Sequence, residues 1–450
     1  MRGDVVRKIA LAVCLTMFLG LFSSCFSSDD SGELELEIRP RVHHQTVHRD
    51  WVIKTDGSVW AWLSENSTWP FGASEYDFIP VQITEDTVSL SRAHGADLIL
   101  QEDGTLWWFR RSAQQVNLSG EGPLITREDI WLMISENVCA INGEAVLLKD
   151  GSLHIIDFPS SLINREQNLE DLQNDPFAYL EHVLDGVVQF ASHNDILLIL
   201  REDGSLWGSG WNNSLGELGL GHDRRIPITE PERIPVDNVQ NFWLEGHEIY
   251  LLDSSGTLWG SGLYGIAYGE DGFDLTFMFE PLLENVVDLA ASESHTMAIT
   301  AEGDLLAWRS NLYGELGIGR DETDWVFFLG AQWVGRYVSG EYEDFVFESP
   351  AFVMDQVVKV YTAPMRTAAI REDGSLWIWG SAHGDPHPYW EDHVSNDYPR
   401  KIAENVHSVY FDGGGVLILK NDGTLWFWWW YVWGEEELPW LLMDNVRLPY

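Results

Sequence analysis

Short apolar runs, broken at regular intervals by tight-turn signals, dominate the chain. Residues 196–200 (ILLIL) and 416–419 (VLIL) are typical runs, each followed within a few residues by Asp-Gly. The turn signal recurs at Asp56-Gly57, Asp103-Gly104, Asp150-Gly151, Asp203-Gly204, Ser255-Gly256, Glu302-Gly303, Asp373-Gly374 and Asp422-Gly423. The spacings are 47, 47, 53, 52, 47, 71 and 49 residues. Asp-Gly between apolar runs predicts a β-hairpin with a type I′ turn, because Gly and Asp both tolerate the positive φ that such a turn requires. Many runs are apolar at successive positions, so their strands need cover on both faces. No helical period is sustained over a comparable length.

The flanks of the turns repeat as well. Four residues after the first member of each turn stand Trp60, Trp107, His154, Trp207, Trp259, Leu306, Trp377 and Trp426. A large aromatic at one fixed place in six of the eight units is expected in the core. Upstream, an acidic residue, a small polar residue and Val recur as Asp237-Asn238-Val239, Glu284-Asn285-Val286, Asp355-Gln356-Val357 and Glu404-Asn405-Val406. The middle residue lies 17 positions before the turn in all four, and Gly186 keeps that distance from Asp203. The third unit departs, with Asn137 only 13 positions ahead of Asp150.

All-β units of about 50 residues, needing cover on both faces, predict the four-stranded blades of a closed β-propeller. Asp444-Asn445-Val446 begins one more copy at the C-terminal end, and residues 48–57 carry the strand and turn that would complete it. The expected ring therefore has one blade shared by N- and C-terminal strands, which hides sheet edges.

Residues 202–221 (EDGSLWGSGWNNSLGELGLG) closely resemble the repeat of the regulator of chromosome condensation family. Residues 308–319 (WRSNLYGELGIG) are a second good copy and 259–269 (WGSGLYGIAYG) a weaker one. The resemblance runs over about residues 37–450 and implies a β-propeller, usually of seven blades. The eight turn signals favour eight over seven. The family's eukaryotic founder exchanges guanine nucleotides on a small GTPase and docks on chromatin; other members resemble bare protein-binding propellers. The second kind fits this sequence better.

Charge and address carry that choice. Lys and Arg number 27 against 71 Asp and Glu, a net charge of −44, which is the wrong sign for chromatin or any nucleic acid. The acidity suits either salt tolerance or the steering of a basic partner. At the N-terminus, Arg2, Arg7 and Lys8 precede an apolar run at 9–22, shorter than the ~20 residues of a membrane span. Phe22-Ser23-Ser24-Cys25 resembles the lipobox of bacterial lipoproteins, with Phe22 where Leu is usual. That resemblance implies a signal peptide at 1–24, a lipidated Cys25 with a flexible tether over 25–37, and the propeller over 38–450. It places the protein at the cell membrane, lipid-anchored on the extracytoplasmic side. Plain secretion and an uncleaved anchor are the alternatives. Of the remaining cysteines, Cys139 reads as a small core residue.

Catalytic constellations are scarce. Residues 216–221 (GELGLG) lack the Lys-Ser/Thr of a phosphate loop, and no His-Glu-x-x-His or Gly-x-Ser-x-Gly is present. No cofactor is expected. His383, Asp385, His387 and His393 are weak metal candidates, which a surface loop can also collect without binding anything. Binding candidates are aromatic. The sixth spacing is about 20 residues longer than the others, and the excess, between Asp321 and Gln356, contains Trp325, Phe328, Trp333, Tyr337 and Tyr342. A long aromatic insertion on a rigid scaffold is a candidate recognition loop, or else extra strands on the rim. The run 426–433 (WFWWWYVW) adds Trp429 and Trp433, as exposed anchors or as part of a buried closing blade. The expected function is a non-catalytic protein-binding or scaffold module. A carbohydrate-binding or glycan-processing propeller, or a purely structural surface protein, are the rivals.

Overall fold

The computed structural model describes residues 47–63, 79–110, 130–156, 180–210, 216–221, 228–262, 268–319, 325–326, 335–344, 350–381, 396–429 and 440–444, less gaps of one or two residues within them. Every regular element among these residues is a β-strand. Eight four-stranded antiparallel sheets follow one another along the chain, each pairing its strands in sequence order. These blades span 47–84, 87–135, 138–184, 187–233, 239–283, 286–354, 357–403 and 406–443. The count is eight, as the turn signals predicted. The first strands of blades two to eight pack on one another in succession, so they line the axis, and the fourth strands form the rim.

The Asp-Gly turn closes the hairpin between second and third strands, by a different geometry from the one expected. Only the glycines take positive φ, between 76° and 89°; the Asp does not. The amide of Gly57 donates to the carbonyl of Lys54 (3.0 Å) and that of Lys54 to the carbonyl of Ser58 (2.8 Å), a three-residue loop with the glycine as a bulge. The Asp side chain has another task. Asp56 Oδ1 accepts from the amide and hydroxyl of Ser58, as Asp103 does from Thr105, Asp203 from Ser205 and Asp422 from Thr424. The hydroxyl then accepts from the indole N–H of the following Trp: Ser58 from Trp60 (2.8 Å), Thr105 from Trp107 (3.0 Å), Ser205 from Trp207 (3.0 Å), Ser375 from Trp377 (2.9 Å) and Thr424 from Trp426 (2.7 Å). These tryptophans are therefore half-buried caps over the core edge rather than core residues, because the indole N–H must reach a polar partner near the surface. The core tryptophans stand one or two positions further on, at Trp108, Trp308, Trp379 and Trp428.

The acid–Asn–Val signal is the joint between blades. Asn137, Asn238, Asn285, Asn405, Gln356 and Asp86 have φ of 56–61°, and Gly186 has 70°. Asn and Asp tolerate this left-handed conformation better than other side chains. The turn reverses the chain so that two backbone bonds lock adjacent blades. Val286 N–H donates to the turn carbonyl of Gly256 in the preceding blade (3.0 Å), and Asn285 C=O accepts from Ala301 N–H in its own (2.8 Å). Asn137 makes the same pair, with Val138 N–H to Gly104 and Lys149 N–H to Asn137 C=O. The short third unit thus keeps its joint and loses residues from its first two strands, Val138–Asn142 and Ala145–Leu148.

The core is divided among the blade interfaces, which explains why strands are apolar on both faces. In the second strand of blade four, Leu198 and Leu200 face blade five with Val239 and Leu251. The intervening Leu197 and Ile199 face blade three with Ala145 and Leu147. Each of the eight consecutive interfaces has such a cluster, including one that joins Val52 of blade one to Leu417, Leu419, Leu425 and Phe427 of blade eight. The ring is closed. The described strands of blade one all come from the N-terminal side, and residues 445–450, which would supply the shared strand, lie outside the described residues.

Candidate functional site

Hairpin turns between second and third strands, together with the joints, occupy one face of the ring; the loops between third and fourth strands leave from the other. The turn face is acidic by construction. The acids of the joints, such as Glu136, Asp237, Glu284, Asp355 and Glu404, are exposed, as are turn acids such as Asp103, Asp203, Asp373 and Asp422. Hydrogen bonds from the Ser or Thr two residues on hold the turn carboxyls below their ordinary range, so this face stays negative well into acid.

On the opposite face, the GELG loops act as plugs between blades. Glu315 C=O, in the loop of blade six, accepts from Thr367 Oγ1 (2.8 Å) and Trp379 Nε1 (2.8 Å) of blade seven. Gly317 lies so close to the Trp379 ring that a Cβ there would come within 2.7 Å of it. Leu218 and Leu316 are buried in the neighbouring interfaces. The glycines serve close packing rather than phosphate binding.

Thr367 belongs to a longer buried chain. Its hydroxyl donates to Glu315 C=O, so toward His295 Nε2, 2.6 Å away, it accepts. His295 is thus protonated on Nε2, and its Nδ1 accepts from Ser294 Oγ (2.9 Å), with Ser292 Oγ at 3.0 Å. Burial, reinforced by the charge of Arg309, pushes His295 down to about 3. This serine–histidine chain is sealed in the core and braces blades six and seven; His295 is completely buried.

The axis carries further unusual titratable groups. Two residues past the start of the first strand in blades two to eight stand Ser89, Ala140, Gln189, Asn241, Asp288, Lys359 and Ser408. Neighbours in this ring meet across blades. Gln189 Nε2 donates to Asn241 Oδ1 (2.8 Å), and Lys359 Nζ to the carbonyl of His407 (2.9 Å). Burial pushes Asp288 up to about 6 and Lys359 down, each partly offset by the other's charge. His407 falls to about 4 through burial and the nearby Lys359 charge. The sequence reading missed this ring, although its members share one register after the joint.

The aromatic insertion of blade six forms a separate three-stranded sheet, Trp325–Val326, Gly335–Val338 and Glu341–Asp344, between the blade's third and fourth strands. Its register sets Trp325 opposite Tyr337 and Tyr337 opposite Tyr342, so the structure brings these three into one rung. Phe328 and Trp333 lie outside the described residues, as do Cys25, Trp433, His383, Asp385, His387 and His393. Trp429 ends its strand opposite Gly415. Before it, Phe427 and Trp428 are buried on opposite faces of blade eight, toward blades one and seven. Cys139 is half-buried beside the core between blades three and four. Among the described residues, no group of three or more His, Cys, Asp or Glu is placed to share a metal ion.

No family model matches the chain. It is similar to Protein RCC1 of Candida albicans, at 24% identity over 200 residues, covering 41% of each chain. It is also similar to the guanine nucleotide exchange factor SRM1 of Saccharomyces cerevisiae, at 20% identity over 329 residues, covering 70% of this chain and 66% of that one. The matches thus span less than two thirds of either relative. Among solved structures it resembles yeast RCC1 (Prp20), determined bound to Kap60, with a TM-score of 0.48 and 15% identity over 94% of this chain and 91% of that one. The relatives are RCC1-repeat proteins, and the eight-bladed ring is the fold of this chain.

Proposed function

We propose that the protein is a non-catalytic module that binds another protein, tethered outside the cytoplasm through a lipid on Cys25. The observation that carries this reading is the inserted sheet of blade six. It emerges on the face opposite the acidic turns, and its register puts Trp325, Tyr337 and Tyr342 on one rung. Aromatic residues are the commonest anchors of protein interfaces, and a closed ring holds such an insertion at low entropic cost. Homologues among RCC1-repeat proteins support a binding propeller, and the exchange activity in the name of SRM1 is not carried over to this chain. The negative charge of the whole chain disfavours a nucleic-acid partner and favours a basic one.

The test is photo-crosslinking on intact cells from a reactive residue placed at Tyr337, followed by mass spectrometry. One dominant protein adduct, lost when residues 321–349 are replaced by a short Gly-Ser loop and indifferent to added sugars, supports the reading. Glycan-array binding abolished by Trp325→Ala supports the carbohydrate rival instead. The anchor is tested separately, by incorporation of a labelled fatty acid that Cys25→Ser removes.

A further inference from the structure

In seven blades the rung joining the third strand to the fourth differs from that of blade three. The cross-strand partners are Trp60 with Gln82, Trp107 with Met133, Trp207 with Arg233, Trp259 with Pro281, Leu306 with Phe352, Trp377 with Lys401 and Trp426 with Leu441. In blade three both members become histidine, His154 opposite His182. Their ring centroids are 5.3 Å apart and their planes cross at 79°.

The hydrogen bonds fix both tautomers. Ser152 Oγ gives its single proton to Asp150 Oδ1 (2.6 Å), so it can only accept from His154 Nε2, 3.0 Å away. His182 Nε2 lies 2.8 Å from Asp185 Oδ1, an oxygen that accepts. Each imidazole therefore holds its proton on Nε2 and keeps a lone pair on Nδ1. The Nδ1 of His154 is buried and has no hydrogen-bond partner. A buried acceptor left unmet is destabilising, and nothing in this rung recovers that cost. A ring nitrogen held by a carboxylate, directly or through a hydroxyl, leaving the other nitrogen bare, is how proteins orient histidine toward a metal. His182 is half exposed, which sets the pair at the solvent edge of the blade.

We propose that His154 Nδ1 and His182 Nδ1 bind one divalent transition-metal ion of the zinc, copper or nickel kind, with water completing its coordination. Imidazole pairs suit these ions, while magnesium and calcium prefer oxygen ligands. The ion clamps the rim strand of blade three, where the tryptophan of six other blades is missing.

The experiment is zinc titration of the full chain, purified without a histidine tag and stripped with chelator, read by calorimetry. The wild type is expected to take up an ion that His154→Trp and His182→Gln each lose. Asp185→Asn weakens binding about tenfold by freeing the His182 ring. His154→Trp installs the repeat's own residue on Ser152, so its thermal midpoint without zinc should match or exceed that of the wild type. A triple variant, His383→Ala, His387→Ala and His393→Ala, should retain the ion. The proposal is overturned if the wild type binds no zinc, or if binding survives in either His154→Trp or His182→Gln.

Discussion

Lys54 in the first blade lies 3.9 Å from Asp444 in the last, Nζ to Oδ1. The two residues are 390 positions apart in sequence and meet because the ring has come full circle. Asp444 is largely exposed, so the pair itself adds little; Lys54→Ala should change stability by less than about 1 kcal/mol. The weight of closure rests beneath it, where Val52 packs with Leu417, Leu419, Leu425 and Phe427. Phe427→Ala should cost about 3–5 kcal/mol in denaturant unfolding, as a large core truncation does. A loss below about 1 kcal/mol would mean that this interface is loose.

The joints make a sharper prediction. Asn285 sits at φ 60° with its carbonyl bonded to Ala301 N–H. Asn285→Gly should be nearly neutral, whereas Asn285→Val should cost about 1–2 kcal/mol, because a β-branched side chain resists the left-handed region. Equal effects of the two substitutions, measured by chemical denaturation, would show that the conformation is not what the position demands.

Acid should weaken the interface of blades six and seven. Burial holds folded His295 at about 3, while the unfolded chain titrates at the ordinary value of 6.5. The folded-state value is depressed, so below 6.5 the unfolded chain takes up a proton that the fold refuses. Stability then falls by about 1.4 kcal/mol per pH unit for this group until pH approaches 3. His295→Gln, which can still donate to Thr367 and accept from Ser294, should flatten the loss between pH 6 and pH 4. An unchanged acid slope in that variant would remove His295 from the account.

Asp288 works in the opposite sense. Its folded value is raised to about 6 from 3.8, so the fold favours the neutral acid and loses stability as pH rises through that interval. Asp288→Asn should therefore stabilise the protein at pH 7.5, on the order of 1 kcal/mol because the substitution also deprives buried Lys359 of the Asp288 charge, and change little at pH 3.5. Thermal midpoints of the two proteins at both pH values check this.

Much of the fold was legible because the repeat writes the same physical demand in the same letters. Gly57 and its counterparts mark hairpins, and the Asn joints could be found by counting 17 residues back. Asp86, 17 before Asp103, does not read as a joint because Glu85-Asp86-Thr87 lacks the Val of the other copies. Spacing alone misplaced the tryptophans. Trp207 and Trp428 are both large aromatics on a third strand, but only the register tells the edge cap from the core residue. The axial ring was illegible for another reason: Asp288 and Lys359 become neighbours only when blades six and seven close up. His154 was visible as an irregular unit, yet its partner His182 is set by a register bulge between Leu153 and His154 that no motif announces. The aromatic insertion was found as a length anomaly, and its strand pairing was left open by the sequence.

Closure of eight blades is the claim on which the rest stands, and a distance between its two ends tests it directly. Spin labels at Thr55 and Asn421, equivalent turn positions of blades one and eight, can be compared by pulsed electron resonance with labels at Glu372 and Asn421 of adjacent blades seven and eight, after the native cysteines are replaced by serine. The account predicts the same separation for both pairs, since a closed ring makes first and last blades ordinary neighbours. A Thr55–Asn421 distance much longer than the Glu372–Asn421 distance would contradict it.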